Sequence, residues 1–171
     1  GDGDLDLVER GVRELHIPRT RLLGSAPEAF AASARALVAL ESNASPRDVS
    51  LSVLGVPPAR IVVSWEHATV AGLSLARLVD EQARRRLAAR VAALWPPGPH
   101  ALARAATKII ETLGGGSRRL ACCFVAPDDS SGVRMRAAAL TVRLGPGGIA
   151  EVVLPALSAV ERVAFENAVM L

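Results

Sequence analysis

Val53–Gly72, "VLGVPPARIVVSWEHATVAG", decides how the rest of the sequence is read. Two runs rich in β-branched residues flank Pro57-Pro58-Ala59, so the stretch reads as strand, tight turn and strand. Upstream, "DVSLSVLG" leads into the first strand, and the two runs together predict a hairpin.

Working outward, Leu5, Val8, Val12 and Leu15 of "LDLVERGVREL" are spaced as one helical stripe, closed by Pro18 and Gly24. "SAPEAFAASARALVALE" predicts a second helix, with Ser25 as N-cap, Pro27 in the first turn and Glu28 completing a capping box. Ser74 to Trp95 reads as one long helix with Leu75, Leu78, Val79, Leu87, Val91 and Leu94 on its apolar side. "PPGP" ends it. "HALARAATKIIETL" predicts a further helix that runs into the flexible break Gly114-Gly115-Gly116. Three strands follow, "RRLACCFVA", "VRMRAAALTVRLG" and "IAEVVLP", joined by the turns "PDDSSG" and "PGG". A last helix starts at Ser158, with Glu161 three residues on. Strands come in blocks separated by helical runs, so the expected class is α+β, antiparallel hairpins packed against long helices.

With 171 residues and 50% hydrophobic content, residues 1–171 are expected to form a single domain. Aromatics are only 3% and tyrosine is absent, so Ala, Val and Leu must fill the core, and base-stacking platforms are not expected. A net charge of +3 is too small to imply a polyanion, so neither nucleic acid nor a membrane is an expected partner. No run of about 18 apolar residues is present, and no charged-then-apolar leader. Cys122 and Cys123 are adjacent, which would strain a bridge between them, so reduced core thiols and a cytoplasmic setting are expected. The start at Gly1 suggests a processed product or a piece of something longer.

In this order of elements, "LHIPRTRLLGSAPEAFAASARAL" resembles the L-G-I-P-x-x-R-V-I-G-S-G-T-x-L-D-S-A-R-F-R stretch of the lactate/malate dehydrogenases. "SPRDVSLSVLG" is similar to the segment leading into that family's catalytic histidine, and "WEHATVAGLSL" to its W-S-x-A-T-V-G-G-x-P-L. "VRLGPGGIAEVVLPALSAVERVAFENAV" resembles the family's closing L-G-x-x-G-V-x-x-V-x-x-L-P-L-S segment. The resemblance runs from about Leu7 to Leu75 and resumes after Gly116, and it is to the C-terminal, substrate-binding and oligomerisation half. A lactate/malate dehydrogenase C-terminal-like fold is therefore implied. The dinucleotide-binding half is not in this sequence: no G-x-G-x-x-G follows a strand, so NAD is expected only if an N-terminal domain exists elsewhere.

A 2-hydroxy-acid dehydrogenase needs an acid/base, a carboxylate that orients it and a guanidinium that clamps the substrate carboxylate. Carried over residue by residue, the family histidine falls on Pro57, the aspartate on Phe30 and the arginine on Ser33. A two-residue slip makes Arg35 the motif arginine and puts Ala32 in the aspartate position; without the slip, Arg35 matches an arginine that binds a sugar bisphosphate in some bacterial relatives, with Ser50 at the companion histidine. Arg35 itself reads as a helix-surface residue. Among substitutes, His67 reads as a strand histidine roughly 25 Å beyond the turn at strand rise. His100 stands at a helix start and His16 in a connector. These two and His67 read as exposed or structural before they read as ligands.

Asp128-Asp129-Ser130-Ser131-Gly132 lacks the spaced ligands of a calcium loop and reads as a hairpin turn, and Cys122-Cys123 has no zinc spacing. Arg77, Arg84, Arg85, Arg86 and Arg90 make one helix basic, with Asp80 and Glu81 placed to pair with Arg84 and Arg85. The expectation is a catalytically degenerate dehydrogenase C-terminal-like domain acting as a scaffold. It would associate through helices 75–95 and 100–113 with a second copy or a separate cofactor-domain chain. The alternative is the substrate half of an NAD-dependent 2-hydroxy-acid oxidoreductase.

Overall fold

The computed structural model describes residues 3–115, 119–126 and 136–170. Gly116 of the glycine break, the Asp128–Gly132 turn and the start of the strand at 133–135 lie outside them. Helix α1 (Gly3–Arg13) opens the chain with Asp4 and Asp6 in its first turn and Arg10 and Arg13 in its last, which suits the helix dipole. Only the first part of its predicted stripe is used: Val8 is buried, whereas Leu15 falls beyond the helix and is exposed. A short 3-10 turn (Arg19–Arg21) leads to α2 (Ala26–Glu41), whose residues 26 to 31 are all buried.

The predicted hairpin is β2 (Val53–Val56) against β3 (Arg60–Val63), closed by a cis Pro57–Pro58 turn. The strands predicted around it are shorter and more divided than the apolar runs suggest. Val49–Ser50 forms β1, which pairs not with β2 but with β4 (Thr69–Val70), and β4 pairs with β5 (Leu73–Ser74) in a separate small sheet. Ala71 and Gly72 make the β4–β5 turn with positive φ.

The long helix expected from Ser74 to Trp95 is two helices, α3 (Leu75–Leu78) and α4 (Glu81–Ala92). Val79 is extended, and the Asp80 carboxylate accepts the Ala83 N–H at 2.7 Å, so an N-cap restarts the helix inside an apolar pattern of helical period. Trp95 lies outside α4, edge-on to Phe30 and Phe124. Helix α5 (Pro99–Gly114) then leads to β6 (Leu120–Val125), β7 (Ala138–Gly145), β8 (Gly148–Val152) and α6 (Ala159–Val169).

The main sheet runs β3-β2-β7-β6, with β8 added to β7, and every pairing is antiparallel. Its period-two alternation divides the core. Val53, Val63 and Cys122 face α2 and α4, whereas Leu54, Val62 and Cys123 face Ile109 of α5 and Phe165 and Val169 of α6. Helix α6 has the capping box read from the sequence: the Glu161 N–H donates to Ser158 Oγ at 3.3 Å, and the Ser158 N–H donates to the Glu161 carboxylate at 2.9 Å. The other Glu161 oxygen accepts the Glu66 N–H, tying α6 to the loop after β3.

Gly148 sits at φ +111°, where the β7–β8 turn crosses the 3-10 segment and a Cβ would overlap the Thr20 carbonyl oxygen. Gly148→Ala is expected to destabilise the domain by about 2–3 kcal/mol, read as a lower urea midpoint at unchanged slope.

Candidate functional site

The principal buried polar cluster among the described residues centres on Glu28, in the first turn of α2. Its side chain is 2% exposed, and both carboxylate oxygens are engaged. Oε1 accepts from Arg35 Nη2 at 2.6 Å and from Lys108 Nζ at 2.9 Å, and Oε2 accepts from the Cys122 N–H at 2.9 Å. The cluster joins α2, α5 and β6. Strand β6 has β7 on one side only. On its open side Gly24 exchanges both backbone hydrogen bonds with Phe124, and the Glu28 carboxylate takes the next outward N–H, that of Cys122. A side chain thus continues the ladder where the backbone leaves off.

This overturns two expectations. Ser25 makes no side-chain cap and already has helical backbone angles, so Glu28 is not part of a capping box. Arg35 is not a helix-surface residue: its side chain is 18% exposed and held by Glu28. Sequence reasoning noticed Glu28 but missed its role and missed Lys108. The available signal was that Glu28 is followed by Ala-Phe-Ala-Ala, a stretch too apolar for a solvated first turn.

The three positions to which the resemblance assigns chemistry are not brought together as a polar site. Phe30 is fully buried and edge-on to Trp95 with ring centroids 5.9 Å apart. The Ser33 hydroxyl donates to the Ala29 carbonyl at 3.1 Å within its own helix. Pro57 is half-buried in the β2–β3 turn. His67 does not lie on a strand: it is in the turn between β3 and β4, exposed, because pairing ends at Val63 and resumes only at Thr69. His100 is exposed in the first turn of α5, whose N-cap is Gly98, and His16 is exposed with positive φ.

The basic helix α4 pairs as expected in part. Glu81 bonds Arg84 and Arg85, and those guanidiniums, Arg85 foremost, hold its carboxyl below the usual range. Asp80 instead caps the helix, and Arg84 also faces Glu66 at 3.8 Å. Among the described residues, no three His, Cys, Asp or Glu side chains converge as metal ligands. Both cysteines are free and buried on opposite faces of β6. Burial, followed by the Glu28 charge, pushes the Cys122 thiol up to about 11; burial raises Cys123 as well.

No family model matches the chain. It is 27% identical over 158 residues to the malate dehydrogenase of Thermomicrobium roseum, covering 88% of this chain and 51% of that protein. The structure of the malate dehydrogenase from Aeropyrum pernix superposes with a TM-score of 0.85 at 16% identity, over 96% of this chain and 58% of that one. The fold is that of a lactate/malate dehydrogenase C-terminal domain. The lactate dehydrogenase of Cryptosporidium parvum, solved with lactic acid and nicotinamide adenine dinucleotide, shares this fold with a TM-score of 0.86 at 17% identity, over 95% of this chain and 56% of that one. The chain spans about half the length of the curated malate dehydrogenases it matches. Among the described residues, no helix is long and apolar enough to cross a membrane.

Removing the Glu28 carboxylate leaves the Cys122 N–H unpaired and two cations uncompensated. Glu28→Ala is expected to cost about 3–5 kcal/mol by denaturant unfolding, and Arg35→Ala about 1–3 kcal/mol. The thiols give a pH signature. Because the folded chain holds the Cys122 proton up to about 11 while an unfolded thiol releases it near 9, the Cys122 contribution is intact below pH 9 and lost as the pH rises toward 11; Cys123, also raised by burial, adds a loss of the same sign. The urea midpoint is expected to fall across that window, and a Cys122→Ala, Cys123→Ala variant to fall less.

Proposed function

We propose that this chain is a catalytically degenerate lactate/malate dehydrogenase C-terminal-like domain that works as a non-catalytic scaffold. What carries the reading is the fate of α2. In either register of the resemblance, the aspartate position is apolar, Phe30 or Ala32. Arg35, the arginine that the shifted register offers as a carboxylate clamp, is paired with Glu28 at 2.6 Å. A guanidinium whose Nη2 is held by a buried carboxylate has less of its fork free for bidentate substrate binding. Pro57, at the acid/base position, has no titratable group. The residues at these positions do not fit nicotinamide chemistry, and NAD would enter only with a dinucleotide-binding domain supplied from outside residues 1–171.

The second reading is the substrate half of an NAD-dependent 2-hydroxy-acid oxidoreductase. It is favoured by the match to malate dehydrogenases over 88% of the chain. As a scaffold, the domain would associate through α3–α4 and α5, whose exposed Leu78 and Ile110 leave apolar surface toward solvent. A second copy is the partner we favour over a separate cofactor-domain chain. The two buried, reduced thiols suit a cytoplasmic setting.

The test is titration of NADH into the longest expressible product of the gene, followed by fluorescence, with oxaloacetate or pyruvate then added. No turnover is the expected outcome; turnover that survives dialysis and scales with protein would establish the second reading. Sedimentation velocity of the chain and of Ile110→Glu tests the surface, with a shift toward monomer expected for the variant.

A further inference from the structure

We infer that Lys108 is a modification site through which acylation of one amine loosens the open edge of β6. This does not rest on the scaffold reading. Of the 20 lysine and arginine residues, Lys108 is the single lysine, so its ε-amine is the one side-chain amine in the sequence. It lies in α5 with its side chain 46% exposed, so an acyl donor can reach it. Its Nζ nevertheless reaches inward, 2.9 Å from Glu28 Oε1, beside a carboxylate that is 2% exposed. An accessible nucleophile is thereby wired to a buried charge.

The reaction partner is an acyl thioester. The neutral form of Nζ attacks the thioester carbonyl, an N–C bond forms, the C–S bond breaks, and the sulfur leaves as a thiol that takes up the proton shed by nitrogen. The resulting amide is uncharged, so among the described residues Glu28 keeps Arg35 as its one paired cation. A carboxylate with little solvent and half its counter-charge removed is poorly compensated, and the cheapest relief is to swing toward water. That motion releases the Cys122 N–H, to which Glu28 Oε2 is bonded at 2.9 Å. Strand β6 would then exchange its amide protons faster on its open side, while the β7 side, paired from Leu120 to Val125, stays closed.

The experiment uses the full chain with acetyl-coenzyme A as donor at mildly alkaline pH, peptide mass mapping to locate the acetyl group, and amide hydrogen exchange read at Cys122. Acetylation at Lys108 with at least about tenfold faster exchange at Cys122 is expected, with little change at residues whose N–H points to β7. Lys108→Gln should reproduce the faster exchange without the reagent. Lys108→Arg keeps the cation and removes the acylable amine, so its exchange should match the unmodified chain before and after treatment. Failure to acetylate Lys108 where a free lysine peptide is labelled in the same tube overturns the inference. So does acetylation that leaves Cys122 exchange unchanged, or faster exchange in treated Lys108→Arg.

Discussion

The structure hangs on one carboxylate standing in for a missing strand. Strand β6 is paired along one side and carries the buried segment Ala121–Val125, yet its other side ends the sheet. An open edge buried under helices would leave N–H groups without acceptors. Gly24 satisfies one of them from the backbone, and Glu28, four residues on, satisfies the next from its side chain. The spacing matters: the chain leaves the edge as an isolated bridge at Gly24, turns into α2, and one helical turn later has a side chain long enough to reach back.

Burying that carboxylate is unfavourable by several kcal/mol, and the offset comes from two cations on different elements. Arg35 is two turns along the same helix, and Lys108 is on α5, so the charge that closes the sheet edge also sets α5 against α2. With α2 fixed in this way, its other faces are committed too. Phe30 goes into the aromatic contact with Trp95, and Ala31, Ala34 and Val38 go into the core beside Val53. Residues 26 to 31 of this helix are thus all taken up by buried contacts, and its exposed positions begin only at Ala32.

Much of this architecture was legible in the sequence because it follows from periodicity. The β2–β3 hairpin, the β6–β7–β8 meander and helices α1, α2, α5 and α6 all follow from apolar spacing plus turn residues. The departures come where two elements share one pattern. Leu75, Val79, Leu87 and Val91 fit a continuous helix, and all four are buried, but Asp80 caps a new helix between them. Likewise "RIVVSWEHATVAG" is β-rich throughout, yet its strands belong to different sheets, and the intervening turn leaves His67 in solvent. Burial is shared across such breaks, so burial patterning cannot reveal them. The site was less legible than the fold, because it depends on Lys108 and Cys122, which lie 80 and 94 residues from Glu28.

The two S-x-x-E segments show what local sequence leaves open. Ser25-Ala26-Pro27-Glu28 and Ser158-Ala159-Val160-Glu161 differ little in their central residues. The second closes a capping box because Ala159, Val160 and the following Arg162 are exposed; in a wet first turn, the backbone N–H is the best partner a glutamate has. In the first, residues 26 to 31 are all buried, and the same carboxylate is offered two cations and a strand N–H inside the protein, where each contact counts for more. The capping box is the weaker competitor there, and Ser25 gives it up. What separates the outcomes is the environment of the helix face and not the motif, so an S-x-x-E entering a helix that is apolar all round is a candidate for a buried ion cluster.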